Sequence, residues 1–242
     1  MKVTLKSISG IPDAIESMFI SKRTWTPELA EEIRRVCHEV LDYKGFIENN
    51  RMCSKESKDK FNDWMSKMCK MTARHITIGK FIDLSFTVEG LHRAGQDDVD
   101  SHAKRMDNRI IRNSTRLAKF GDEMSDFYKG KIISTDVALN KLGMPTPQSF
   151  EINGINYVKC TNGYVAEQYK DNPDVLRGLY MLSIPSTFVF RVNLVEWSHI
   201  YKERNENGNA NPEVKEFAEE SQKLLEKAVP FFTKELMLKI MN

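Results

Sequence analysis

The sequence of 242 residues predicts one mixed α+β domain with long helices, covering residues 1–242. Three observations predict this class. Apolar residues recur at helical spacing in several long segments, β-branched and aromatic residues concentrate in two shorter ones, and an Asn-Gly pair suits a tight hairpin turn. Repeats, low-complexity tracts and linkers of domain-boundary quality are absent from the sequence.

Four helical segments account for most of the predicted secondary structure. The first begins after Thr26, which can cap it, and Pro27 suits the first helical position. The second covers residues 57–71, helical patterns fill most of 89–119, and an amphipathic helix covers 211–229. The apolar face of the second helix is Phe61, Trp64, Met65, Met68 and Cys69. That of the last helix is Val214, Phe217, Leu224, Leu225 and Ala228.

Strands are predicted at residues 81–88 and 186–194, because strand-forming residues dominate both segments. The clearest hairpin is the segment FEINGINYV, in which Asn153-Gly154 suits a type I′ turn. We expect this hairpin to protrude as an insertion over about residues 148–160. Residues 173–184, between the hairpin and the second strand, predict a short helix.

The composition is that of an ordinary globular protein, with 40% hydrophobic and 29% charged residues and a net charge of +2. The near-neutral charge disfavours a nucleic-acid-binding protein. No run reaches the length of a membrane span and the N-terminus lacks a signal-peptide core, which predicts a cytoplasmic protein without membrane contact. The cysteines form no C-x-x-C pair and the five histidines are scattered, so we expect reduced thiols and no metal site.

The segment KRMDNRIIRNSTRLAK, residues 104–119, carries an unusual concentration of positive charge. As a helix it would align Arg105, Arg109, Arg112, Arg116 and Lys119 on one stripe. Each like-charged pair at this spacing costs about 0.2–0.5 kcal/mol in an isolated helix. Either an anionic ligand binds this stripe, or it is a solvated basic face, which the stripe alone favours. Ser114, two positions before Arg116, adds a hydroxyl that together with the guanidinium can hold a phosphate or a ring carbonyl.

Other side chains have both a functional and a structural interpretation. Arg177 lies in an apolar segment and Arg204 lies at a predicted helix end, so both are anion candidates, although a buried stem or a helix-end charge also accounts for them. His75 with Thr77 could face a ligand, but a lone histidine is more often structural. The acidic segment 96–100 could bind a divalent metal, yet an acidic helix start is favoured.

The order of short motifs along the chain is more informative than any one of them. In residues 75–116 the motifs are His75-x-Thr77, E-G-x-x-R-A at 89–94, Ser101-His102-Ala103 and Ser114-x-Arg116. In residues 177–218 they are Arg177, Val192-Asn193, Arg204 and the segment ANPEV at 210–214. These two blocks resemble the flavin-dependent thymidylate synthases, the ThyX family.

The resemblance implies a ThyX-like single domain with a small mixed or antiparallel sheet. It also implies a homotetramer with active sites shared between subunits. The implied reaction transfers a one-carbon unit from methylenetetrahydrofolate to dUMP, giving dTMP, with FAD that NADPH reduces and without an enzyme nucleophile.

The resemblance also assigns residues to roles. The nucleotide would contact Ser114, Arg116, Arg177 and Arg204. Arg204 is the catalytic candidate, because a cation beside a ring carbonyl polarises the pyrimidine. The cofactor side would comprise His75, Thr77, His102, Asn193 and His199.

The chain departs from the family pattern on the cofactor side. The R-H-R motif of the family is replaced by Ser101-His102-Ala103, a glutamine by Asp98, and the arginine of V-N-A-R-S by Val195. We therefore expect weaker FAD binding. Two alternatives stay open, a hydroxymethylase acting on dUMP or dCMP and a nucleotide-binding homologue without catalysis.

Overall fold

The computed structural model describes residues 1–48, 53–100, 109–113, 124–160, 163–176, 179, 182–206 and 210–241. The chain folds into two compact units, each built from several segments. The first, here the hairpin unit, comprises Met1–Lys2, Glu89–Asp97 and Arg112–Phe188. The second, the helical unit, comprises Val3–Val88, Asp98–Ile111 and Val189–Asn242. The prediction of one domain over the whole chain stays a prediction.

The described elements confirm the mixed α+β class. The helices are α1 (Ile11–Ser21), α2 (Pro27–Val40), α3 (Lys55–Thr72), α4 (Arg93–Asp100), α5 (Thr135–Lys141), α6 (Pro173–Leu176), α7 (Leu194–Glu206), α8 (Pro212–Ala228) and α9 (Lys234–Ile240). The strands are β1 (Lys2–Ser9), β2 (Asp83–His92), β3 (Arg109–Arg112), β4 (Ser149–Ile152), β5 (Ile155–Cys160), β6 (Gly163–Ala166) and β7 (Pro185–Asn193). Short 3₁₀ helices cover Ile76–Phe81 and Glu167–Tyr169. One sheet has the strand order β1-β2-β7-β3 and the other β4-β5-β6.

Capping side chains fix the starts of α2 and α3 in the helical unit. The Thr26 hydroxyl accepts a hydrogen bond from the Leu29 N–H at 3.2 Å, which confirms the predicted cap. The Ser54 hydroxyl accepts one from the Ser57 N–H at 3.0 Å and begins α3. The predicted apolar face of α3, from Phe61 to Cys69, is buried. The helix α9 follows the predicted final helix and was not foreseen.

The prediction of a helix over most of residues 89–119 is wrong at two segments, which form strands instead. The strand β2 continues to His92, and residues 109–112 form the strand β3. Only α4 within this range is helical among the described residues. The sequence Arg-Ile-Ile-Arg contains two adjacent β-branched residues, which favour a strand, and the Asn113 N–H extends the pairing by donating to the Thr187 carbonyl at 3.1 Å.

The hairpin of the hairpin unit forms as predicted. The strands β4 and β5 pair antiparallel from Ser149 opposite Val158 to Ile152 opposite Ile155. Asn153 and Gly154 connect them with φ angles of 52° and 77°. Positive φ at both central positions defines a type I′ turn, in which asparagine and glycine are preferred.

Two of the four free cysteines are protected by burial in the helical unit. Cys37 and Cys69 are 2% and 8% exposed. Burial raises the pKa of each thiol to about 12, and the charge of Asp13 adds to the effect at Cys37. At pH 8 such thiols stay protonated, whereas the thiolate is the reactive form.

We therefore expect a thiol reagent to modify two cysteines readily in the folded protein and four after unfolding. The reactive pair would be Cys53 and Cys160, which are half-buried and free. Titration with Ellman's reagent, with and without denaturant, measures both counts. Four equally fast equivalents in the folded protein would contradict the burial of Cys37 and Cys69.

Candidate functional site

The junction of β7 and α7 fixes the start of the candidate site in the helical unit. The Leu194 N–H donates to the Ile82 carbonyl at 2.8 Å, which ties the junction to the start of β2. The Asn193 side-chain oxygen accepts from the Glu196 N–H at 2.9 Å, and Asn193 is 2% exposed. This bond caps the first turn of α7. Asn193 therefore has a structural role, and cofactor binding by it stays a prediction.

The buried face of α7 ends at Arg204. Trp197, Ile200 and Tyr201 form this face, and Arg204 continues it at the helical spacing. The Arg204 guanidinium donates to the main-chain carbonyl of Asp98. Asp98 lies among the last four residues of α4, whose carbonyl oxygens have no N–H donor within the helix. The contact therefore holds a half-buried guanidinium at the C-terminal end of α4.

The end of α3 and the following 3₁₀ helix present His75 and Thr77. Both side chains are exposed. The N–H groups of Arg74 and His75 both donate to the Met71 carbonyl, at 2.9 Å and 2.8 Å, which ends α3 and turns the chain.

Gly79 allows this 3₁₀ helix to lie against the start of α7. A Cβ atom at Gly79 would lie 2.9 Å from side-chain carbons of both Thr72 and Val195. Only glycine fits this approach without displacement of its neighbours. The segment that carries His75 and Thr77 is thereby held beside the first turn of α7.

A basic cavity of about 380 Å³ adjoins His75. It lies entirely within the helical unit. Its lining is Lys22, Lys67, Lys70, Met71, Arg74 and His75.

A buried carboxylate oxygen lies on α7 within the helical unit. Glu196 is half-buried, and its Oε2 atom is inaccessible to solvent without a hydrogen-bond partner among the described residues. Such an oxygen requires a donor, because an unmade bond to a buried polar group is costly. His199 lies three residues further along α7 and is half-buried.

The arginines of the predicted stripe that the structure describes form ion pairs with carboxylates. In the helical unit, Arg109 Nη2 lies 3.1 Å from both carboxylate oxygens of Asp83, and Arg191 Nη2 lies 2.9 Å from one of them. Because residues 109–112 form a strand, the like-charge cost expected for a helical stripe does not apply to them, and the carboxylates balance the arginine charge.

In the hairpin unit, Arg112 pairs with Asp97. Burial lowers the pKa of Arg93, the neighbouring Arg112 lowers it further, and Asp97 opposes both effects. The helix α4 begins at Arg93, so the prediction that residues 96–100 form an acidic helix start is wrong. Within the described ranges, no group of three metal-ligating side chains comes together.

Several predicted site residues lie outside the described residues. They are His102, Ser114, Arg116 and Arg177, with Arg105 and Lys119 of the basic stripe. Their assigned roles stay predictions. Across the parts of the chain that are described, no helix is long and apolar enough to cross a bilayer.

A family model decides the classification. Residues 20–231 match the model of the thymidylate synthase complementing protein family, Thy1. The chain belongs to this family. The resemblance to the ThyX enzymes is therefore confirmed. No curated protein sequence matches the chain.

Several solved structures have the same fold as this chain at low sequence identity. A flavin-dependent thymidylate synthase ThyX from Helicobacter pylori, complexed with FAD and dUMP, is 11% identical, with 99% of each chain covered and a TM-score of 0.51. A second structure of ThyX from that organism, with the same ligands, is 10% identical, covers 100% of this chain and 99% of its own, and has a TM-score of 0.54. The UMP/dUMP methylase PolB from Streptomyces cacaoi, bound with 5-Br dUMP, is 12% identical, with 97% and 93% covered and a TM-score of 0.53.

The main feature of this Thy1 protein that sequence reasoning missed is the basic cavity. Its cations come from the end of α1 and the end of α3, so no single sequence window contains them. The spacing of Lys67, Lys70 and Arg74 by three and four residues was the available signal, because it is the spacing of one helix face, although α3 ends at Thr72 and Arg74 follows it.

Proposed function

We propose that this Thy1-family protein is a flavin-dependent thymidylate synthase that transfers a one-carbon unit from methylenetetrahydrofolate to dUMP. The bond between Arg204 and the Asp98 carbonyl carries the proposal. It joins the two sequence blocks that resemble the ThyX family and holds a guanidinium where they meet. A guanidinium fixed in this way suits the recognition of an anionic or carbonyl-bearing nucleotide.

The similar structures support a dUMP substrate. Two of them contain dUMP with FAD, and the third is a UMP/dUMP methylase that contains 5-Br dUMP. The proposal extends this substrate to the present chain, with Ser114, Arg116 and Arg177 as further nucleotide ligands.

The residues present fit FAD at two points of the helical unit. The Glu196 Oε2 atom is a buried acceptor that a hydroxyl of a ribityl chain or a ring N–H would satisfy. The basic cavity beside His75 offers positive charge to an anionic group. His75 and Thr77 on the 3₁₀ helix, with His102 and His199, complete the proposed cofactor side.

The proposed chemistry assigns Arg204 to the pyrimidine ring. A guanidinium at a ring carbonyl favours the ionised form of the ring and raises electron density at the carbon that is attacked. No side-chain nucleophile is needed if the ring itself is activated in this way. When bound by the residues of the proposed cofactor side and reduced by NADPH, FAD would supply the hydride that completes the methyl group. The homotetramer with shared sites is part of this proposal.

The experiment that tests the function is an assay for dTMP with purified protein. We expect saturable quenching of FAD fluorescence, then NADPH oxidation and dTMP formation when dUMP and methylenetetrahydrofolate are present. Light scattering on the same sample measures whether chains of 28.0 kDa assemble as tetramers. A hydroxymethylated product would support the hydroxymethylase instead, and dUMP binding without turnover would support a non-catalytic homologue.

A further inference from the structure

The lining of the basic cavity in the helical unit carries more positive than negative charge, and in the adjoining pocket, which shares two of its cations, Glu235 and Lys239 balance each other. Four cations line the basic cavity, Lys22, Lys67, Lys70 and Arg74. The Lys67 ammonium pairs with Asp63 at 2.5 Å. The described residues provide no ion pair for the other three, which are exposed.

The negative ends of two helix dipoles compensate only part of this positive charge. Lys22 is the C-cap of α1, Lys70 lies in the last turn of α3 and Arg74 follows it, so two helix C-termini meet the cations. Each C-terminus carries about half a negative charge, so the two together contribute about −1. Asp63 contributes another −1. The four cations of the cavity therefore keep a net charge of about +2.

We propose that this cavity binds the diphosphate group of a dinucleotide. A diphosphate within a dinucleotide carries a charge of about −2, which matches the uncompensated charge, and lysine and arginine donors suit its oxygens. The volume of about 380 Å³ exceeds the need of a single small anion, and Met71 and His75 offer apolar and planar surface to the adjoining groups.

The two sources of this diphosphate are a flavin dinucleotide and a nicotinamide dinucleotide. This identification rests on the proposed function, in which FAD and NADPH both take part, whereas the diphosphate site rests on the cavity alone. The cavity would supply positive charge to a cofactor side on which Ser101, Ala103 and Val195 stand in place of arginines.

The test is calorimetric titration of the full-length protein with inorganic pyrophosphate at two salt concentrations. The variant Lys70→Ala/Arg74→Ala removes two of the four cations. We expect its affinity to fall about tenfold for each charge-assisted bond lost. We also expect wild-type binding to weaken as salt rises. The matched control is Lys58→Ala/Lys215→Ala, which removes two exposed lysines outside the cavity and should bind pyrophosphate like the wild type.

Both altered sites are exposed, so thermal unfolding should show no loss of stability in either variant. No saturable pyrophosphate binding by the wild type, or equal binding by the cavity and control variants, would overturn the site. Binding of orthophosphate as tight as that of pyrophosphate would mark an adventitious ion only and would overturn it as well.

Competition titrations distinguish the two sources. If the double variant weakens FAD binding and FAD displaces pyrophosphate, the flavin dinucleotide is the ligand. If NADPH alone displaces pyrophosphate, the nicotinamide dinucleotide is the ligand. Pyrophosphate binding that depends on Lys70 and Arg74, in a protein that makes no dTMP, would support the site and refute the proposed function. If the double variant forms dTMP and binds both dinucleotides with unchanged affinity, the result would support the proposed function and refute the diphosphate site.

Discussion

Replacing Arg204 with alanine is expected to lower the rate of dTMP formation by about 100- to 1000-fold, the usual effect of removing one donor to developing negative charge. The guanidinium is held by the Asp98 carbonyl, so its position does not depend on the substrate. Under the proposed mechanism its charge acts on the ionised pyrimidine. The loss should therefore appear in kcat as well as in the affinity for dUMP.

Matched variants separate this effect from a structural one. Arg204→Lys keeps the charge but loses the planar fork, so we expect intermediate activity. Arg35→Ala removes an exposed arginine, which pairs with Glu39, and should leave the rate unchanged. Asp98→Asn should keep the Arg204 contact, since the acceptor is a main-chain oxygen. A rate within threefold of wild type for Arg204→Ala, with dUMP binding retained, would remove Arg204 from the catalytic site.

Local chemistry explains which elements the sequence predicts correctly. Thr26 followed by Pro27 specifies a helix start, because the Thr26 hydroxyl accepts a hydrogen bond from an N–H of the first turn. Asn153-Gly154 specifies a type I′ turn, because these two residues adopt positive φ angles readily. These elements are decided within a few residues. The same reasoning finds β7, whose β-branched and aromatic residues dominate the segment.

The strand β3 shows why other elements cannot be predicted from the sequence. Arg109 and Arg112 are spaced by three, which fits a helical stripe as well as it fits two positions in a strand. Their carboxylate partners, Asp83 and Asp97, lie 26 and 15 residues earlier in the chain. Pairing with distant residues decides the conformation, and no window of local sequence contains that information.

The candidate site also combines features that local sequence predicts with contacts that it does not predict. The sequence points to Arg204 because an arginine at a helix end beside a loop is a recognisable anion candidate. It does not show that the side chain contacts the Asp98 carbonyl, 106 residues away in sequence. The basic cavity likewise combines Lys22 with cations at least 45 positions later, since Lys67 is the nearest of them.

Replacing Trp197 with alanine is expected to lower the free energy of unfolding by about 3–5 kcal/mol. The side chain is 0% exposed, and its ring centroid lies 5.3 Å from that of Phe86 and 6.1 Å from that of Phe217. Its indole N–H donates to the Gln222 side-chain oxygen at 2.9 Å. The variant therefore creates a cavity and leaves a buried acceptor unsatisfied.

A second tryptophan provides the control for this loss of stability. Trp25 also donates its indole N–H to a side-chain oxygen, that of Glu16 at 2.9 Å, but it is 41% exposed. Trp25→Ala should cost at most about 1 kcal/mol, because water replaces both the contact area and the hydrogen bond. Thermal unfolding followed by circular dichroism should show a decrease of about 6–20 °C for Trp197→Ala, given about 2–4 °C per kcal/mol for a chain of this size. The variant Trp197→Phe keeps most of the ring volume and loses the hydrogen bond to Gln222. Its smaller decrease in melting temperature therefore measures mainly the contribution of that hydrogen bond. Equal melting temperatures for the two alanine variants would show that the packing of α7 against Phe86 and Phe217 does not stabilise the helical unit.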